Sequence, residues 1–115
     1  GRVCEIVREK IMNDIIEKLE TILQKRKTDY SEDSYVSSLY SKGNQHICDK
    51  ITEEAGELVE ATEDSKAQVV HETADLLFHV LVLLASLDIK YATILDELTK
   101  RFGTSGIEEK NNRKK

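Results

Sequence analysis

The chain has 115 residues, of which 34% are charged and 5% aromatic, with 5 glycines and no proline. That length suffices for one domain with one core, and a composition dominated by Glu, Lys, Leu, Ile and Ala predicts an all-α fold. The formal net charge of −5 argues against a general nucleic-acid binder, which needs a basic surface.

The first periodic segment runs from Cys4 to Lys25. Ile11, Ile15, Ile16, Leu19, Ile22 and Leu23 recur at helical spacing, and Asn13, Asp14, Glu17, Lys18 and Glu20 cover the other face, which makes an amphipathic helix. Lys25 to Asp33 has no periodicity and reads as a loop. Ser34 is placed to cap a short helix from Tyr35 to Ser41. In Lys42-Gly43-Asn44, the glycine supplies the stop and Asn44 can cap the next helix.

A third helix is expected from Gln45 to Glu63. Ile47, Ile51, Ala55, Leu58, Val59 and Thr62 form its inner stripe, flanked by Lys50, Glu53, Glu54, Glu57 and Glu60. Gly56 in mid-helix costs about 1 kcal/mol relative to Ala; it either admits a close helix contact or is simply tolerated, and the contact is favoured. Glu63 to Lys66 is a turn short enough to join antiparallel helices.

The fourth helix, Ala67 to Leu87, is apolar nearly all round from Leu76 onward. Such a helix is buried on most sides, and one small subunit can hardly surround it, so a homodimer whose core crosses the interface is expected. After a break at Ser86 to Lys90, a fifth helix runs from Tyr91 to Arg101 with Ile94, Leu95 and Leu98 inward. Gly103 stops it, residues from Thr104 onward are irregular, and the basic tail, 107–115, is frayed. The expected architecture is a single domain, 1–115: an antiparallel bundle of about five helices, completed by dimerisation.

Cys4 and Cys48 show no metal-ligand spacing and read as ordinary thiols in a reducing cytosol. No secretory leader is evident. The longest apolar run, Leu76 to Ala85, is interrupted by His79 and falls short of the roughly 20 residues of a membrane span. A soluble cytoplasmic protein with no membrane contact is expected.

The chemistry concentrates in two segments, Glu53-Glu54-Ala55-Gly56-Glu57 and Glu72-Thr73-Ala74-Asp75. Glu54 and Glu57 are three apart, as are Glu72 and Asp75, so each helix presents a neighbouring pair of carboxylates. On antiparallel helices the two pairs can face each other. Acidic residues at this spacing are also common on solvated faces, and Glu60 and Glu63 read that way. Asp75, however, is followed at once by Leu76-Leu77-Phe78, with no Lys or Arg within a turn. A carboxylate near low dielectric without a partner costs several kcal/mol. A divalent cation shared with Glu54, Glu57 and Glu72 resolves this. The donor set is hard and oxygen-only, which favours Mg²⁺, with Mn²⁺ as a substitute, over Zn²⁺. His79 lies four residues after Asp75 and is expected to hydrogen-bond a carboxylate rather than to ligate metal. His46 and His71 carry no chemical signal of their own.

Glu-x-x-Glu followed by Glu-x-x-Asp on an antiparallel pair resembles the MazG-like all-α nucleotide pyrophosphohydrolases. The flanks narrow the resemblance: Ser34-Tyr35-Val36-Ser37-Ser38-Leu39, Lys42-Gly43, Leu76-Leu77-Phe78-His79, and Arg101-Phe102-Gly103-Thr104-Ser105-Gly106-Ile107-Glu108-Glu109-Lys110. In order and spacing they resemble the phosphoribosyl-ATP pyrophosphohydrolase family of histidine biosynthesis, over about residues 8–110. Gly56 departs from relatives, where a larger residue is common.

That resemblance implies Mg²⁺-dependent hydrolysis of phosphoribosyl-ATP to phosphoribosyl-AMP and pyrophosphate by a homodimer. It also implies that a separate phosphoribosyl-AMP cyclohydrolase acts downstream. Glu54, Glu57, Glu72 and Asp75 are then the metal-holding set, with Glu54 in the catalytic machinery. Glu53 is either general base or a group behind the ligands. Lys42, Lys50, Arg101 and Lys110 are candidates for phosphate or ribose contact. Two other readings stand beside this one: a house-cleaning enzyme acting on canonical or damaged nucleoside triphosphates, and a non-enzymatic helical module with an acidic face.

Overall fold

The computed structural model describes residues 2–102, with side chains from residue 15 onward. Its helices are α1 (Arg2–Thr28), α2 (Tyr35–Lys42), α3 (Asn44–Ala61), α4 (Lys66–Ser86) and α5 (Tyr91–Phe102), and no strand occurs among the described residues. The expected Gly103 stop, the 107–115 tail, Lys110 and the side chains of Cys4 and Ile11 lie outside the described residues.

The helix ends follow local chemistry. Ser34 has extended backbone, and its side-chain oxygen accepts the amide of Ser37 at 3.2 Å, starting α2. Ser65 does the same for α4, accepting from Gln68 at 3.1 Å. Gly43 ends α2 and begins α3 with φ 93° and ψ 169°, a conformation essentially reserved to glycine. Asn44 does not cap α3 as expected; it is the first helical residue, and no side chain caps that end. The loop expected from Lys25 starts later. Helix α1 continues to Thr28, and Lys25, Arg26 and Lys27 occupy its last turn, where cations suit the negative end of the helix dipole.

α3 and α4 form a hairpin with the most extensive packing in the chain; α2 lies on α3, and α1 lies on α4 and α2. Leu23, Leu39, Ile47, Leu81, Val82 and Ala85 are the buried core. Leu23, Leu39, Ile47 and Val82 have no exposed surface, and each such side chain contributes about 1.5–3 kcal/mol through burial. Polar ties lock the layers. The Tyr40 hydroxyl donates to the Leu23 carbonyl at 3.0 Å, and burial raises the Tyr40 pKa. Lys27 Nζ donates to the Ala85 carbonyl at 2.9 Å and to Asp88 Oδ1 at 2.6 Å, so α1 caps the carbonyl end of α4.

Three expectations about helix faces are corrected. The buried positions of α3 are Ile47, Glu54 and Ala61, seven residues apart, whereas Val59 is 69% exposed; the stripe runs through Glu54 rather than beside it. Gly56 makes no close helix contact among the described residues, because a Cβ built there meets nothing within 4 Å. On α5, Leu95 and Leu98 are exposed and no residue is buried. That helix is anchored at its start, where the Tyr91 amide donates to Glu20 Oε2 at 2.8 Å.

Helix α4 is long and apolar enough to cross a bilayer, by length and composition. It nevertheless carries Glu72 and Asp75 and packs against α3 and α1, whereas carboxylates within a membrane are costly.

Candidate metal and phosphate site

The α3–α4 hairpin brings three carboxylates together. Glu54 and Glu72 are buried, at 7% and 9% exposure, and Glu57 lies at the open edge one turn beyond Glu54. One oxygen from each lies within 4.8 Å of the others. Like charges this close repel unless a proton or a cation stands between them. The Glu57 carboxyl is accordingly raised above the usual carboxylate range. The main cause is a hydrogen bond with Glu72, followed by desolvation and the charges of Glu72, Glu54 and Glu53.

Glu72 is the most constrained of the three. Gln68 Nε2 donates to its Oε1 at 2.8 Å. Its Oε2 is buried with no hydrogen-bond partner among the described residues. These two facts about Glu72 agree once protonation is considered. Two ionised carboxylates can only accept, so the bond between Glu57 and Glu72 exists only while one carries a proton. With both ionised, Oε2 is orphaned, at a cost of about 1–3 kcal/mol or more for a charged group. A bound cation would remove that cost, and an oxygen-only donor set is chemically suited to a hard divalent ion. The residues therefore fit a metal ion.

Asp75 departs from expectation. Its side chain is 43% exposed and pairs with His71 Nε2 at 3.3 Å. It belongs with Glu72 and His71 in a second grouping, adjacent to the first through Glu72. The carboxylate stranded in low dielectric is thus Glu72, not Asp75, because Glu72 is turned into the bundle while Asp75 lies at the rim. His71, which carries no signal by itself, is one helical turn before Asp75, and the i, i+4 spacing could have revealed the pair.

His79 meets expectation. Its Nδ1 lies 3.0 Å from Glu54 Oε1, and both side chains are almost wholly buried. Its Nε2 lies 2.8 Å from the Tyr35 hydroxyl. The sequence marks Tyr35 only as the start of α2, and no periodicity signals this contact across 44 residues.

Among the expected catalytic and phosphate residues, Glu53 is exposed and pairs with Lys50 Nζ at 3.6 Å, outside the three-carboxylate grouping. Lys50 has its pKa raised, chiefly by the Glu53 charge and then by Tyr35, with a further contribution from Glu54. It is the cation beside the site. Lys42 is exposed at the end of α2. Arg101 pairs with Glu97 on its own helix at 3.3 Å, and no contact joins it to the carboxylates among the described residues. Cys48 is exposed and forms no disulfide among the described residues. A cleft of about 830 Å³ between α1 and α5 shares no residue with the carboxylate groupings.

Helices throughout and clustered carboxylates on an antiparallel pair define an all-α protein with a candidate metal site. The family model described as phosphoribosyl-ATP pyrophosphohydrolase matches residues 16–102. A phosphoribosyl-ATP pyrophosphatase of Vesicomyosocius okutanii is 50% identical over 103 residues, covering 89% of this chain and 98% of the relative. The protein of the same name from Ruthia magnifica is 48% identical, with the same coverage. That from Hydrogenovibrio crunogenus is 48% identical over 108 residues, covering 90% of this chain and 96% of its own. The chain belongs to the phosphoribosyl-ATP pyrophosphohydrolase family and is a hydrolase.

Proposed function

We propose that this protein hydrolyses the α–β phosphoanhydride of phosphoribosyl-ATP, releasing phosphoribosyl-AMP and pyrophosphate, with Mg²⁺ held by Glu54, Glu57, Glu72 and Asp75. The observation that carries this reading is the orphaned, buried Oε2 of Glu72 amid two further carboxylates, in a chain whose relatives bear that enzyme name.

Carboxylates repel a polyphosphate, so the site needs positive charge to accept one. Mg²⁺ supplies charge neutralisation of the phosphate oxygens and orientation of the reacting groups when bound, and Mn²⁺ substitutes. Lys50, beside Glu53 and Glu54, adds a fixed positive charge at the rim. Water attacks the α phosphorus, its oxygen bonding as the α–β bridge breaks, and the bridging oxygen leaves with pyrophosphate. Glu53 is exposed and outside the three-carboxylate grouping, so it is available to accept the proton from that water. Lys42, Arg101 and Lys110 remain candidates for contact with distal parts of the substrate.

The enzyme acts as a soluble cytoplasmic homodimer. Val70 is 69% and Leu77 39% exposed in the single subunit. These apolar side chains on a helix destined for a core support an interface there. The product is one that a phosphoribosyl-AMP cyclohydrolase consumes.

The test is pyrophosphate release from phosphoribosyl-ATP with Mg²⁺, compared with a panel of dNTPs and with excess EDTA. Turnover confined to phosphoribosyl-ATP and abolished by chelator is expected. Preference for dNTPs would move the assignment to a house-cleaning enzyme, and activity persisting in EDTA would overturn the metal requirement.

A further inference from the structure

His79 is buried, at 5% exposure, and lies behind Glu54 rather than among the clustered carboxylates. Its surroundings determine where its proton sits. Nδ1 faces two acceptors, Glu54 Oε1 at 3.0 Å and the Asp75 carbonyl at 2.9 Å. With Glu54 ionised neither can donate, so Nδ1 must carry hydrogen. In the neutral ring Nε2 is then an acceptor, and the hydroxyl 2.8 Å away on Tyr35 donates to it. The ring is also clamped by aromatic edges. Phe78 packs edge-on at 5.3 Å and Tyr35 edge-on at 5.8 Å between centroids.

We propose that Tyr35 and His79 are positioning residues for metal binding: the Tyr35 hydroxyl fixes the His79 ring at Nε2, and Nδ1–H of that ring holds Glu54 Oε1 and so orients its carboxylate. The chain Tyr35 O–H to Nε2, then Nδ1–H to Glu54, links α2 to α4 and α4 to α3. Glu54 thereby receives a hydrogen bond from a ring that is itself held at both nitrogens. The buried position matters, because a side chain already held by donors in low dielectric loses less freedom when the ion arrives. This inference rests on the metal site proposed above.

The test is Mn²⁺ affinity by electron paramagnetic resonance on the purified protein, together with the His79 tautomer by long-range ¹H–¹⁵N correlation. Neither needs turnover. Tyr35→Phe keeps the ring beside Phe78 and removes only the hydroxyl. It is expected to stay folded, weaken Mn²⁺ binding about 10-fold, and shift the Nε2 resonance of His79. His79→Ala is expected to weaken binding by about 10–100-fold, with part of the loss recovered in His79→Asn, whose amide can stand in for Nδ1–H. Unchanged Mn²⁺ affinity in Tyr35→Phe, or a parent His79 with its proton on Nε2, overturns the proposal while leaving the metal site intact. A parent protein that takes up no Mn²⁺ overturns the metal site, and the role assigned to the pair with it.

Discussion

Glu54 on α3 and His79 on α4 meet at 3.0 Å with their side chains only 9% and 6% exposed. The most buried carboxylate of the site is thus held by an imidazole rather than by Lys or Arg. A buried carboxylate paired with a fixed cation would have its charge neutralised within the fold. Here no Lys or Arg forms an ion pair with Glu54, Glu57 or Glu72 among the described residues, which makes the folded chain receptive to an added cation.

Mg²⁺ should therefore stabilise the fold. An ion that binds only the folded state at 100 times its dissociation constant adds about 2.7 kcal/mol, which for a domain of this size raises the melting temperature on the order of 10 °C. Calorimetry with Mg²⁺, with EDTA, and with KCl at matched ionic strength checks this. A rise reproduced by KCl would indicate charge screening rather than a site.

Glu72→Gln should separate stability from metal binding. The amide places a donor where Oε2 has no partner, so the metal-free protein should gain about 1 kcal/mol. The same change removes a charge from the cluster, so the Mg²⁺-dependent rise in melting temperature and pyrophosphate release should both disappear. Melting curves of parent and variant, with and without Mg²⁺, supply the comparison.

Gly43→Ala should destabilise the chain without any clash. A Cβ there meets nothing within 4 Å, but the backbone sits at φ 93° with ψ 169°. A non-glycine residue held in that region costs about 1–3 kcal/mol. Urea unfolding should show a lower midpoint with unchanged slope, because the cost lies in the backbone of the native state.

Leu39→Ala tests the link between α2 and the core. Leu39 is fully buried, and truncation should cost about 2–5 kcal/mol. A loss below about 1 kcal/mol in chemical denaturation, outside that range for a core leucine, would mean that α2 is only weakly attached.

Val70→Glu and Leu77→Glu test the dimer. Both positions are exposed in the single subunit, so a charge there should leave helicity intact by circular dichroism. Burying that charge at an interface costs several kcal/mol, and sedimentation should show monomer where the parent is dimeric. Unchanged sedimentation in both variants would place the interface elsewhere.

Much of this is legible from local pattern. Ser34, Gly43 and the spacing of Ile47, Ile51 and Leu58 act through near neighbours in sequence, and caps, stops and helical period are local effects. The pairing of Glu54 with Glu57 is likewise a matter of helical geometry. Which side of α3 Glu54 faces is not legible, because a carboxylate in a stripe of apolar positions looks the same as one beside it until the neighbouring helix is in place. Asp75 differs from expectation for the complementary reason: its apolar neighbours in sequence are not its neighbours in space, and the rim of α4 leaves it exposed beside His71.

The amino-acid sequence by itself determined the helices, their order and the stock of carboxylates on two of them, since these follow from propensity and periodicity along a single segment. Only the tertiary structure decided that Glu72 carries the orphaned oxygen, that His79 faces Glu54, and that Tyr35 reaches His79 from another helix. Burial and hydrogen bonding between segments far apart in the chain depend on how whole helices rotate against one another, and that rotation is set by the packing of the entire core.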